Sequence, residues 1–133
     1  MAEQTKTQNQ TQEIRSKTML EDNGKRKLVR NKLAQRIREK GDTVYVIKDK
    51  LERNRLFMLK VIEEVREIEV SNFEDDREFA DLLQVVKDWI DSNDMAKNVA
   101  DLRFNKMLEL GTYEGDAVQP DPNNPSNALY YEN

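Results

Sequence analysis

Residues 42–70 read DTVYVIKDKLERNRLFMLKVIEEVREIEV, and the fold follows from how this stretch is read. Val44, Ile47, Leu51, Asn54, Met58, Val61, Val65 and Ile68 recur by three and four, the period of a helix face. With Val44 as position a of a heptad, the stripe fills four a and four d sites, and Asn54 at d is the polar intruder. The spacing predicts a long central helix over about 42–70, N-capped by Asp42 or Thr43. A strand reading survives only at Thr43–Ile47, rich in β-branched residues, and no second strand is at hand to pair with it. From Leu56 through Phe57, Met58 and Leu59 to Val61 and Ile62, only Lys60 interrupts the apolar run. Hydrocarbon so widely spread around a helix requires neighbours on at least two faces.

The flanking segments supply candidate neighbours. Leu28, Val29, Leu33, Ala34 and Ile37 mark a short basic helix over about 25–40, closed by Gly41. Beyond the central helix, Ser71 and Glu74 match a capping box that starts a third helix over about 73–92. Its stripe is Phe79, Leu82, Leu83, Val86, Trp89 and Ile90, and the aromatics Phe57, Phe79, Trp89 and Phe104 read as core or interface residues. A break at Asp91–Asp94 leads to a fourth helix over about 94–110, with Met95, Val99, Leu102, Met107 and Leu110, stopped by Gly111. Residues 1–24 read as a flexible polar arm. Residues 111–133 read as a flexible acidic tail, broken by Gly115, Pro120, Pro122 and Pro125. The expected fold is all-α: a long central helix in an antiparallel helical hairpin or bundle with coiled-coil character, a short basic helix before it, and disordered termini.

Charge patterning bears on partners. Positions e and g of the central helix carry Lys48, Lys50 and Arg55 early and Glu64 and Glu69 late. A parallel pair would set like charge against like at both ends, so antiparallel packing is expected. Residues 25–40 are net +7 and residues 74–94 net −6, so the two segments either face each other or each meet outside partners. A basic helix can track a phosphate backbone, which nominates Lys25, Arg26, Lys27, Arg30, Lys32, Arg36 and Arg38 for contact with nucleic acid or an acidic partner. That block lacks an aromatic for base stacking, which argues against single-strand recognition.

Composition excludes much chemistry. The 133 residues include no Cys and no His, so thiolate and imidazole sites, zinc and haem ligation of the usual kind, and disulfides are out. Charged residues are 36% and apolar ones 37%, with a net charge of −4, a balance that suits exposed salt-bridged helices better than a compact enzyme. The carboxylate pairs, Glu63 with Glu67 and those around Asp88, Asp91 and Asp94, read as solvated faces rather than catalytic dyads. Asp91–Asp94 lacks the later glycine and glutamate of a calcium loop, and Gly24-Lys25-Arg26 lacks a phosphate loop's other residues. No apolar run approaches a membrane span, Met1–Lys6 has no signal-peptide pattern, and Ala2 stands where myristoylation needs glycine.

These observations predict a non-enzymatic assembly or adaptor protein that oligomerises or packs against a protein partner. Its interface would be Val44, Ile47, Leu51, Asn54, Leu56, Phe57, Met58, Val61, Ile62, Val65 and Ile68, with Leu129, Tyr130 and Tyr131 as a docking tip on the tail. The alternative is a nucleic-acid-binding adaptor using helix 25–40. No cofactor, metal, small-molecule substrate or membrane partner is expected, and the cytoplasm is the default address, or the host cytoplasm or virion for a viral chain. The order of parts (basic helix, antiparallel hairpin, acidic tail) is similar at the level of architecture to small DNA-packaging subunits and scaffold proteins of tailed phages. That resemblance implies a structural or assembly role.

Overall fold

The computed structural model describes residues 26–119, 121 and 123, and among these the chain is all-α. The helices are α1 (Asn31–Glu39), α2 (Lys50–Val70), α3 (Asp76–Ser92) and α4 (Ala96–Leu110). The chain divides between Ala96 and Lys97 into two units. The N-terminal arm, Lys25, and the tail residues Leu129, Tyr130 and Tyr131 lie outside the described residues. No described helix is long and apolar enough to cross a membrane.

The central helix is shorter than its heptad. It begins at Lys50, not near 42, because Asp49 caps it: the carboxylate accepts the Glu52 backbone N–H at 2.8 Å. Residues 42–49 hold no helix, so Val44 and Ile47 are half-buried on an irregular segment rather than seated at a and d positions. The run Thr43–Ile47 has poor helix propensity, and the Arg26 guanidinium lies 4.5 Å over the Tyr45 ring. The first helix likewise spans only Asn31–Glu39 of the expected 25–40, starting at Arg30 without a side-chain cap. The capping box at Ser71 and Glu74 is also displaced. Ser71 ends α2, its hydroxyl donating to the Ile68 carbonyl at 2.7 Å, and Asp75 caps α3 by accepting the Arg77 N–H at 3.0 Å.

Three helices end in the same way. The N–H groups of Asp42, Phe73 and Met95 bond the carbonyls of Ile37, Ile68 and Ile90, and those of Gly41, Asn72 and Asp94 bond Arg38, Glu69 and Asp91. This is the Schellman arrangement, which puts one residue in the left-handed region. Gly41 takes that place after α1 with φ 91°, but Asn72 (φ 59°, followed by Phe73 at φ 61°) and Asp94 (φ 55°) take it after α2 and α3. Asp94 is strained there, and its charge opposes the negative end of the α3 dipole but favours the positive end of α4, which begins at Ala96, so the two dipole effects offset. The backbone effect remains, and Asp94→Gly is expected to raise the unfolding free energy by about 0.5–1 kcal/mol. Urea unfolding followed by circular dichroism checks this; a loss of stability would show that the Asp94 side chain is needed.

α2 and α3 pack as an antiparallel hairpin. At its open end the Trp89 indole N–H and the Asn93 amide both donate to Asn54 Oδ1, each at 2.8 Å, and Asn54 in turn donates to the Lys50 carbonyl at 3.0 Å. Phe57 stacks parallel to Trp89 with centroids 6.3 Å apart, within the range for offset aromatic pairs. Leu56 and Leu59 (each 6% exposed), Ile68 and Ala34 form the core of the described residues. Each such large side chain is worth roughly 1.5–3 kcal/mol of transfer free energy. In the second unit α4 carries exposed Leu102, Phe104, Met107, Leu108 and Leu110.

Candidate functional site

Three ion pairs decide which side of the hairpin is covered. Arg26 reaches Glu52 at 2.7 Å, Lys27 reaches Glu63 at 3.2 Å, and Arg30 reaches Asp81 at 2.8 Å. The segment before α1 is thereby tied along α2 and to α3. One of the three, Arg30 with Asp81, realises the expected pairing of the basic and acidic blocks. Arg26 and Lys27 pair with α2 instead. Lys32, Arg36, Arg38 and Lys40 are exposed and make no ion pair among the described residues.

At 100° per residue, Glu52, Glu63, Leu56 and Leu59 share one face of α2, and Asn54, Phe57, Glu64 and Ile68 share the face turned to α3. The heptad's a positions Leu51, Met58 and Val65 point away from the tied segment. Leu51 is 42% and Val65 48% exposed, with Met58 half-buried. On α3, Phe79, Leu83, Val86 and Ile90 recur by four and three and line up on a stripe distinct from the Glu78, Asp81 and Trp89 face. Leu83 is 73% exposed, Phe79 is exposed, and Val86 and Ile90 are half-buried. Because the helices run antiparallel, these two stripes fall on the same side of the layer, opposite Arg26, Lys27 and Arg30. The hairpin therefore has one covered side and one open apolar side. Of the remaining sequence-nominated interface residues, Val61 and Ile62 are half-buried on α2.

Between the helices lies an acidic seam that sequence reasoning missed. One carboxylate oxygen from each of Glu64, Glu78 and Asp81 lies within 4.8 Å of the others. Glu64 is 4% exposed; its Oε1 is 3.4 Å from Lys60 Nζ, and its Oε2 is buried without a hydrogen-bond partner. Glu78 Oε2 is buried as well, and its carboxyl lies against that of Glu67. Burial, then the charge of Glu67, raises the Glu64 carboxyl above the ordinary glutamate value. Glu78 is pushed up to about 7 by the hydrogen bond it shares with Glu67, by burial, and by the charges of Glu67, Asp75 and Glu64. Beside the seam, Glu63 is an ordinary anion. Burial opposes its charge, but hydrogen bonds from Lys27 and Lys60 outweigh that and hold it below the usual range. Lys60 loses by burial and gains more from Glu63 and Glu64, so its ammonium is reinforced. The only sequence signal for the seam was Glu64 at a g position, flanking the stripe rather than lying outside it.

No protein-family model matches the chain, and neither a curated protein nor a solved structure matches it.

Proposed function

We propose that the chain is a non-enzymatic assembly module that associates with a second copy through the open apolar side of the α2–α3 hairpin. The observation that carries this reading is Leu83, 73% exposed at the centre of a stripe with Phe79, Val86 and Ile90, beside exposed Leu51 and Val65 on α2. A two-helix layer with one apolar side is half of a four-helix bundle, and a second copy laid on it supplies the other half. Arg55 and Glu69 flank the α2 stripe near opposite ends, so antiparallel stacking sets opposite charges together, whereas parallel stacking would not. The coiled-coil logic of the sequence is kept in part: a positions face the partner copy while Asn54 and Ile68 at d serve the hairpin. Likeness of architecture to phage packaging subunits and scaffolds makes virion assembly, in a host cytoplasm, the setting proposed for such a module.

Sedimentation velocity over a concentration series tests it. Wild type is expected to pass from monomer to dimer in the micromolar range. Leu83→Glu is expected to stay monomeric with an unchanged far-ultraviolet spectrum, because a charge in the apolar interface is buried without a partner. A wild-type chain that stays monomeric at hundreds of micromolar would overturn the proposal.

The second reading, phosphate contact, is supported by Lys32, Arg36, Arg38 and Lys40, the cations of the basic block that hairpin acids leave unpaired. Duplex DNA binding that falls steeply with salt and disappears in the Lys32→Gln, Arg36→Gln, Arg38→Gln triple variant would establish it.

A further inference from the structure

We infer that Glu64, Glu78 and Asp81 form a binding site for a large, hard divalent cation of the calcium class, clamped between α2 and α3. The three ligands come from two helices. Glu78 and Asp81, three apart on α3, share a face, and Glu64 meets them from α2. Three oxygens no more than 4.8 Å apart have a common point within about 2.8 Å of each, a small inward movement from the 2.3–2.6 Å of calcium–oxygen bonds. Magnesium, at 2.0–2.1 Å in a strict octahedron, requires a larger closure.

An acidic cluster is no site by itself, and here the second observation is Glu64. Its side chain is almost fully withdrawn from water, and its Oε2 meets no donor although it shares the seam with two further carboxylates. A buried oxygen of that kind ordinarily has a partner, and an isolated one costs free energy. The neighbouring cations do not supply it. Lys60 is spent on Glu63 and on Glu64 Oε1, Lys27 on Glu63, and Arg30 on Asp81 Oδ1. Five carboxylates (Glu63, Glu64, Glu67, Glu78 and Asp81) thus gather around three cationic groups. The carboxylates outnumber the cations that face them, a surplus that a bound cation relieves. With neither His nor Cys in the chain, an all-oxygen donor set selects hard ions over zinc or copper.

Thermal unfolding and titration calorimetry with calcium chloride, and separately magnesium chloride at matched ionic strength, test the site on the full chain. At ten times its Kd, calcium is expected to raise the wild-type Tm by about 5–10 °C, with magnesium weaker. Glu64→Gln and Glu78→Gln are expected to fold, since each swap relieves repulsion in the seam, and to lose the calcium shift. Glu69→Gln, an exposed acid outside the seam, is expected to keep it. A wild-type Tm and heat signal indifferent to 10 mM calcium, roughly a thousandfold above a sensor-type Kd, would overturn the site. So would an equal loss of the shift in Glu69→Gln, which would mark plain charge screening.

Discussion

Leu59→Ala is expected to lower the unfolding free energy by about 2–4 kcal/mol, enough to leave much of the hairpin unfolded at room temperature. Leu59 sits on the α2 face that the Arg26–Arg30 segment covers, and it is one of the few large apolar residues buried in the described chain. Truncation removes its transfer free energy and leaves a hole that a helix face pinned by ion pairs on one side cannot collapse to fill. The loss falls on a small total, because a core built from Leu56, Leu59, Ile68 and Ala34 belongs to the size class that rarely supplies more than about 3–5 kcal/mol. Val46→Ala serves as the comparison: Val46 is exposed on the irregular segment before α2, and its truncation is expected to stay within about 0.5 kcal/mol. Urea titration by circular dichroism measures both. A Leu59→Ala loss below about 1 kcal/mol would mean that the tied segment does not cover α2 in solution.

The period of α2 was legible because burial on two sides still leaves a three-and-four spacing along the helix. Where the helix starts was not, since Val44 and Ile47 continue that spacing on a backbone that is no longer helical. The information was present in another form: Asp49 and Glu52 make a cap-and-third-residue pair, while Thr43–Ile47 is β-branched. The turn after α2 misled for a related reason. Ser71 and Asp75 can both cap, and the choice fell to Asp75 because the Schellman turn through Asn72 uses Ser71 to finish α2. The direction in which α2 faces its neighbours could not be read from the heptad. Leu56 and Leu59 lie off the a/d stripe, and only the long-range ion pairs of Arg26, Lys27 and Arg30 fix which side they turn to. Charge runs give net sign, not pairing, so beyond the g position of Glu64 the acidic seam, where like charges meet, had no signature that a solvated face would lack.

Asn54→Leu discriminates between the heptad and the hairpin as the reason for that residue. In a coiled coil between copies, a polar d residue fixes register at a cost in stability, and leucine there would tighten association. In the hairpin, Asn54 Oδ1 is the common acceptor for the Trp89 indole and the Asn93 amide, so leucine strands the indole N–H, while the Asn93 amide keeps its bond to the Trp89 carbonyl at 3.2 Å. The expected result is a loss of about 1–3 kcal/mol of hairpin stability, the cost of leaving a buried donor unmade. Trp89 is the chain's single tryptophan, so its emission reports directly on the site: loss of the bond and of the Phe57 stack is expected to shift it to longer wavelength. Asn54→Asp keeps an acceptor in place and is expected to retain most of the native emission. If Asn54→Leu instead stabilised the protein and strengthened its association, the residue would belong to a seam between copies, and the α2 surface offered to a partner would be the d side rather than Leu51, Met58 and Val65.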